Sequence, residues 1–482
     1  MTRRAWVRLD NASNIFLAAR TDADPKVFRI SAEMDHVVDP QLLQEALDAT
    51  YDRYRLYHAV LRSGVFWYYL QESDLRPVVT AEELHTCAPI YQADRRRLLF
   101  RVMHHQQRIV LELFHALSDG TGALWFISDL VTAYIGLRHA GQNDSFDAGE
   151  AIDLVSDRGS ADAGDQPDDD AAVPAHGLIA DSFTHYFRRR RRRLASTSES
   201  AFSRAAAPAL VGEDEARSLP SARREIGRVR RPSATRVHRV GGTRTPDNRT
   251  RAVELTMPAK DVLALARAEG VGLMMFLTAV FFESIRRSTG GLSKGCSLAA
   301  SVPVNLRQFF PSTSPRNFFA TVRVEHTYGE GDDDLGSICR QLESQFRPKA
   351  TPEALEEKLR KFIRFERMPV LRIVPRPLKD VILRLVNWGS NRGLSIAVSN
   401  LGRVSLPQPA EAHVGRMLFH VSAARPQLCA MSHAGLLTIS FTSPFIETDH
   451  IKEFARLLTA SGIEVTVAAA RVTEAELAEG GP

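Results

Sequence analysis

A chain of 482 residues, 44% hydrophobic and 25% charged, can bury one large core or two medium ones. Its net charge of +5 is small for that length, and the arginine excess sits between Arg188 and Arg251, which argues against a general nucleic-acid-binding face. The N-terminal MTRRAWVRLDNAS has no apolar segment after its arginines, and Cys87, Cys296, Cys339 and Cys429 are scattered, so free thiols and a cytoplasmic location are expected.

In chain order, KVFRISAEM from Lys26 alternates as a strand, and Asp39-Pro40 opens a helix with Leu42, Leu43, Ala46, Leu47 and Tyr51 on one face. VFWYYLQ after Gly64 reads as a strand. LLFRVMHH from Leu98 pairs with RIVLELF across His105 to Gln107. The run Ile109 to Phe114 is rich in β-branched and large apolar residues and predicts a buried strand that ends at His115. Ser118, Asp119 and Gly120 supply turn and N-cap chemistry, and Leu124, Ile127, Leu130, Val131, Tyr134 and Leu137 then recur at helical spacing.

After Gly141 the composition changes. Asp162 to Asp170 is acidic, Arg188 to Arg193 is unbroken arginine, and Ser196 to Asn248 is rich in Ser, Ala, Pro and Arg. Such sequence buries too little apolar surface to offset the entropy of ordering, so residues 151–249 are expected to be a largely disordered insertion. The exception is DSFTHYF from Asp181, whose Phe183, Tyr186 and Phe187 would dock on the body. The arginine run reads either as a solvated tail or as a weak contact with an anionic membrane surface or acidic partner.

Order is expected again from Thr250. RAVELTM is a strand, Pro258 suits a first helical turn, and Leu273 to Ile285 is a buried helix. Gly272 to Phe282, the most apolar run, is too short to span a bilayer. CSLAASVPVNLR and NFFATVRVEHTY are strands, three helical segments follow between Asp334 and Asn387, and GLSIAVSNLGRV is a strand running into a turn. RMLFHVSA and LLTISFTSP continue a sheet, and an amphipathic helix with Ile451, Phe454, Leu457 and Leu458 closes the chain.

His115 stands where a rigid strand meets open space. A half-buried structural histidine is one reading; a general base is the other, since an imidazole can take a proton from a hydroxyl and return it to a leaving group. Asp119 lies four residues on, and spacing across a turn does not settle whether it faces the imidazole. Gly120 is either an ordinary turn glycine or one that keeps the backbone close to the site. Ser399-Asn400-Leu401-Gly402 is either an Asn/Gly turn or a source of oxyanion donors. The remaining histidines show no metal-ligand spacing, and no metal is expected. Gly-rich phosphate loops are absent, so no phosphate cradle is indicated.

His115-Ala-Leu-Ser-Asp119-Gly120 resembles the His-x-x-x-Asp-Gly motif of the chloramphenicol acetyltransferase-like superfamily, which includes condensation domains, wax-ester-forming enzymes and alcohol acetyltransferases. Phe114 stands where many members carry a second histidine. LDNASNIF, DPQLLQEALDATYDRY and GVFWYYL are similar to the opening of bacterial alcohol acetyltransferase-type proteins. The resemblance implies an α/β fold of two lobes, each a mixed β-sheet with flanking helices, and an active-site tunnel between them. On this chain that means an N-terminal lobe over 1–150 and a C-terminal lobe over 250–482. It further implies that His115 is the base, and that Asp119 turns away to pair with Arg307 of Pro303-Val-Asn-Leu-Arg307. Ser399, Asn400 and Gly402 match the Ser-Asn-x-Gly turn at the active-site rim of several members. The implied reaction is direct acyl transfer, acetyl by default, from acyl-CoA as co-substrate to a small-molecule alcohol, with no cofactor held. An acyl carrier protein as donor, and a non-catalytic scaffold of the same fold, are the alternatives.

Overall fold

The computed structural model describes residues 5–93, 95–139, 236–245, 248–366 and 374–469. The first half lays down β1 (Trp6–Arg8), helix α1 (Asn11–Ala18), β2 (Val27–Met34), α2 (Pro40–Arg53), β3 (Ala59–Ser63) and β4 (Tyr68–Glu72). It continues with β5 (Thr80–Ala81), β6 (Phe100–His105), β7 (Arg108–Phe114) and α3 (Gly120–His139). The second half supplies β8 (Arg236–Val237), β9 (Arg251–Pro258), β10 (Cys296–Asn305), β11 (Phe319–Thr327), β12 (Ile396–Arg403) and β13 (Val414–Val421). Its last strands are β14 (Gln427–His433), β15 (Leu436–Ser443) and β16 (Thr466–Ala469). Between them run helices Leu273–Ser288, Leu335–Phe346, Arg376–Arg392 and Asp449–Ala460, among others.

These strands form two mixed sheets. One has the order β13-β2-β7-β6-β5, and the other runs β11-β10-β12-β14-β15-β9-β16, with β8 added alongside β10. A small antiparallel sheet, β1-β4-β3, lies beside them. Helices flank both large sheets, giving the α/β two-lobed architecture expected from the motif-bearing segments. Asp39 caps α2 by accepting from the amides of Gln41 and Leu42, and the face carrying Leu43, Ala46, Leu47 and Tyr51 is buried. The apolar length of α3 is core: Phe126, Ile127, Leu130, Val131, Tyr134 and Ile135 are all buried. Each such side chain contributes about 1.5–3 kcal/mol by leaving water.

β7 is the central strand of the first sheet, and one charge is buried at its middle. Glu112 stands directly opposite Arg29 of β2 and Arg101 of β6. It accepts from Arg29 Nε at 2.7 Å, from Arg101 Nε at 2.8 Å and from the Cys87 amide at 2.7 Å. An unpaired carboxylate there would cost several kcal/mol, so the two arginines fix the register of three strands at once.

One expectation needs correction, and two further elements carry no readable sequence pattern. The strand containing Arg416 to Val421 does not continue the sheet of LLTISFTSP; it crosses over and pairs antiparallel with β2 in the first sheet. Alternation shows that a segment is a strand but not which sheet it joins. Charge makes the choice visible, because Arg416 meets Glu33 at 2.9 Å. The insertion is not wholly without structure: residues 236–245 carry β8, which pairs in parallel with β10, and the Thr243 amide donates to Glu447 at 2.9 Å. Two hydrogen-bonded residues leave too short a pattern to be read. α1 was not expected as a helix. Its cap is Asp10, whose Oδ1 accepts from the Ser13 amide at 2.8 Å. The DSFTHYF segment and Arg188 to Arg193 lie outside the described residues.

The two large sheets are tied by a charge cluster. Arg108 of β7 donates to Glu254 of β9 at 2.8 Å, and His420 of β13 lies 3.3 Å from the same carboxylate. Burial would raise the Glu254 pKa, but the hydrogen bonds and charges of His420 and Arg108 outweigh it and hold the carboxyl well below its ordinary range. A carboxyl depressed in the folded state contributes stability above its unfolded pKa, about 4.3, and loses it as pH falls toward the folded value. Glu254→Gln should therefore cost about 2 kcal/mol at pH 7. In thermal melts, the gap from wild type should narrow as pH is lowered below about 4. A gap that stayed constant from pH 7 to 3 would show that Glu254 contributes by shape alone.

Candidate active site

β7 ends at Phe114, and the next residue hands the chain from sheet to site. The His115 amide donates to the Lys26 carbonyl at 2.8 Å, extending the ladder by one rung. The His115 carbonyl accepts from Asn317 Nδ2, also at 2.8 Å. Phe114 is fully buried and stacks on Tyr91 at 5.3 Å between ring centroids. The position where a second histidine was looked for is thus a core position.

The imidazole sits among aromatic rings. Phe16 of α1 stacks on it at 3.9 Å with a 16° interplanar angle, Phe28 lies 4.9 Å away and Phe319 5.9 Å. The ring is half-buried, and its Nδ1 is enclosed with no hydrogen-bond partner among the described residues. Burial pushes the pKa down to about 4, and the neighbouring Lys26 charge adds to this; the backbone carbonyl of His115 and the Asp119 carboxylate act in the opposite direction. At neutral pH the imidazole is uncharged.

Asp119 does something else. Its Oδ2 accepts from Arg307 Nη1 at 2.7 Å and from the Phe318 amide at 2.8 Å, while Oδ1 accepts from the Gly122 amide at 2.9 Å. It therefore caps α3 and binds the second half of the chain with the same carboxylate. Arg307 spends its other terminal nitrogen on the carbonyls of Ser314 and Arg316, at 2.8 and 2.7 Å. Both side chains are under a tenth exposed. The bonding partners of Asp119 are thus amides and a guanidinium, and its influence on His115 is through space.

Residues that the sequence reading passed over hold this turn as firmly. Arg316 pairs with Asp10 at 3.3 Å, and Asn317 also donates to Ser13 at 2.9 Å, so the segment after Arg307 is bound to α1 as well as to the His115 turn. Asn305 donates to Thr121 at 3.2 Å and accepts from the Arg307 amide at 3.0 Å. Ser118 donates to the Pro315 carbonyl at 2.5 Å. Gly122 matters through absence: a Cβ there would lie 2.2 Å from the Pro315 carbonyl oxygen and 2.5 Å from Ser118 Oγ. At Gly120 a Cβ would lie 2.5 Å from Leu401 Cδ2, the tip of a flexible side chain.

That leucine belongs to the Ser399–Gly402 segment, so the third motif does come against the first. It is not a turn after a strand, however. β12 continues to Arg403, with a register shift between Asn400 and Arg403 that Gly402 absorbs at φ +80°. Asn400 Oδ1 accepts from the Gly402 amide at 2.8 Å. A bulge at the strand end gives the same residue pattern as a free turn, since both need one left-handed glycine.

No protein-family model and no curated protein sequence matches the chain. Solved structures do resemble it. Polyketide synthase associated protein 5 from Mycobacterium tuberculosis aligns over 95% of this chain and 98% of its own, at 13% identity and a TM-score of 0.52. The trichothecene 15-O-acetyltransferase of Fusarium sporotrichioides aligns over 95% and 94%, at 11% identity and a TM-score of 0.53. The starter condensation domain of rhizomide synthetase, in complex with C8-CoA and Leu-SNAC, aligns over 94% of each chain, at 13% identity and a TM-score of 0.51. At such identities the likeness establishes the fold: this chain has the two-lobed α/β fold shared by chloramphenicol acetyltransferase-like O-acetyltransferases and condensation domains.

Two outcomes follow from the geometry. Asp119→Asn and Arg307→Ala should each cost about 3–5 kcal/mol, because each leaves a buried charge or its partners unpaired. The double variant should lose clearly less than the sum, and strict additivity in a double-mutant cycle would show that the pair carries no coupling. Gly122→Ala should destabilise by about 3 kcal/mol, since a backbone carbonyl must move, whereas Gly120→Ala should cost about 1. Equal losses of melting temperature for the two alanines would contradict the close approach of Pro315.

Proposed function

We propose that this chain is an acyltransferase that moves an acyl group, acetyl by default, from acyl-CoA to an alcohol in one direct step. His115 acts as the general base. The observation that carries this reading is the imidazole itself: uncharged at neutral pH, clamped through its own backbone at the end of β7, and walled by Phe16, Phe28 and Phe319. With Nδ1 enclosed, Nε2 is the nitrogen assigned to substrate.

In this reading the acceptor hydroxyl donates to Nε2 and loses its proton as its oxygen attacks the thioester carbonyl. The tetrahedral oxyanion takes hydrogen bonds from donors at the Ser399–Gly402 rim, and collapses with departure of the CoA thiolate. The imidazolium returns the proton to sulfur. The depressed pKa keeps the imidazole in its base form before attack and makes its conjugate acid a ready donor to sulfur, at the expense of basicity toward the hydroxyl. A thiol of pKa near 8.5 leaves easily, so the main tasks are holding two substrates together and placing the base. The role of Asp119 and Arg307 is positioning, and Gly120 allows Leu401 to approach.

The rhizomide synthetase domain, solved with an acyl-CoA and an aminoacyl compound, supports testing amine as well as alcohol acceptors and a carrier-bound as well as a free thioester. Release of free CoA thiol from a panel of acyl-CoAs, read with a disulfide-exchange dye, is the direct assay. His115→Ala should lower kcat by about 10²–10⁴ with little change in melting temperature. Retention of more than about half of wild-type kcat would remove His115 from the mechanism. For the wild type, kcat/KM should stay level as pH falls from 8 through 6.5, and decline only on approaching the depressed value of about 4. An acid limb centred at 6.5 would mean that the imidazole is solvated in the free enzyme.

A further inference from the structure

Helix Arg376–Arg392 presents an apolar seam to solvent. Leu378, Val381, Leu385 and Trp388 recur three or four residues apart, and each is between 49% and 62% exposed. One helical face is therefore apolar and about half exposed among the described residues, which is the reverse of what a core-packed helix shows. The opposite face is bound to the body. The Arg376 amide donates to the Val65 carbonyl at 3.1 Å, Lys379 to the Phe66 carbonyl at 3.2 Å, and Tyr68 to Asp380 at 2.9 Å. These bonds bring the tip of the β3–β4 hairpin beside the helix, and its Val65 and Phe66 are 73% and 43% exposed.

Charge identifies the occupant. The helix carries Arg376, Lys379, Arg384 and Arg392 against Asp380 as its one acid, and that acid is already bonded to Tyr68. Arg392 folds over the Trp388 ring at 3.8 Å, so a cation and an indole share the exposed end of the seam. Arg376 and Lys379 are turned to the hairpin, Arg376 over the Tyr68 ring and Lys379 over the Trp67 ring, which leaves Arg384 and Arg392 along the seam. A second copy of this chain docking face to face would bring these two cations against themselves. Anionic headgroups would meet them favourably, while the seam enters the acyl boundary. Trp and Leu flanked by Arg and Lys is the composition of an interfacial helix.

We infer that this chain docks on anionic membrane surfaces through the Arg376–Arg392 helix and the adjoining hairpin tip. The helix is a separate stretch of sequence from the arginine run Arg188 to Arg193. It also touches the candidate site at one remove: Arg384 Nε donates to the Ala18 carbonyl of α1 at 3.0 Å, and α1 carries the Phe16 that stacks on His115. Docking would thus set the aromatic wall of the site next to a source of lipophilic substrate. Binding is read without turnover, so the inference stands or falls independently of the proposed reaction.

The test is co-sedimentation of the full chain with phosphatidylcholine vesicles containing about a third phosphatidylglycerol, and with phosphatidylcholine alone. Wild type should bind the anionic vesicles, should not bind the neutral ones, and should be released as NaCl rises from about 0.05 to about 0.5 M. Leu385→Glu with Trp388→Glu should weaken partitioning by about tenfold or more at unchanged melting temperature. Should that pair fail to fold, Leu378→Gln with Val381→Gln removes the same seam more mildly and should show a smaller loss in the same direction. Three results would overturn the inference: undiminished binding by both double variants, equal or absent binding of the wild type to the two vesicle types, or a wild-type dimer in solution that the seam variants dissociate.

Discussion

The buried pairing of Asp119 with Arg307 is the constraint on which the rest of the site depends. Two charges in a region closed to water are tolerable only when most of their lone pairs and protons are engaged; of the Arg307 nitrogens, Nε alone has no partner among the described residues. Here the carboxylate takes a guanidinium and two amides, and the guanidinium takes two further carbonyls. Those five contacts involve Gly122 at the α3 N-terminus and Arg307, Ser314, Arg316 and Phe318 in the second half. Moving any one of these elements unpairs a charge. The loop that bears His115 is consequently fixed by energetics remote from the imidazole, and the imidazole can remain without a strong partner of its own.

A second constraint lies on the other side of the molecule. β13 leaves the second half and completes the first sheet, and Glu33, Arg108, Arg416 and Glu254 then lock the two sheets where they meet. With Arg307, Arg316 and Asn317 joined to the first half near His115, the halves are connected through strand exchange at one end and buried polar bonds at the other. Substrates that bind near His115 would therefore meet a preorganised wall. Acyl transfer from a thioester asks for this, because its barrier is lowered chiefly by orientation and by fixed dipoles.

How much of this was legible follows from distance along the chain. The β7–His115–Asp119–α3 unit is local, and its strand, turn and helix signals lie within about thirty residues, so residue pattern sufficed. Arg307 could be paired with Asp119 only through family resemblance; no periodicity links positions 188 residues apart. Asn317, Ser13 and Phe16 were invisible for the same reason, and α1 was too short to show a pattern. Gly122 was hidden differently. A glycine in a helical first turn looks like a weak helix former, and its meaning appears only when the Pro315 carbonyl arrives at 2.2 Å from the missing Cβ. The bulge at Gly402 and the sheet membership of β13 are likewise questions of partner, which local pattern does not carry.

The aromatic surroundings of His115 decide what kind of substrate the fold can serve. A polar pocket would raise the imidazole pKa and invite water, which competes with the acceptor for the thioester. Phe16, Phe28 and Phe319 do the opposite: they desolvate the imidazole and leave it neutral. Two of these rings sit on strands of opposite sheets, Phe28 on β2 and Phe319 on β11. Phe16 alone rides on an eight-residue helix, held by the Asp10 cap, by Ser13 and by Arg384 from the exposed helix. If the chain tunes acceptor size, Phe16 is the ring whose placement depends on those three contacts rather than on a sheet. In the proposed reaction, specificity would then reside in α1 and its supports, and the proton transfer in the strand end that carries His115.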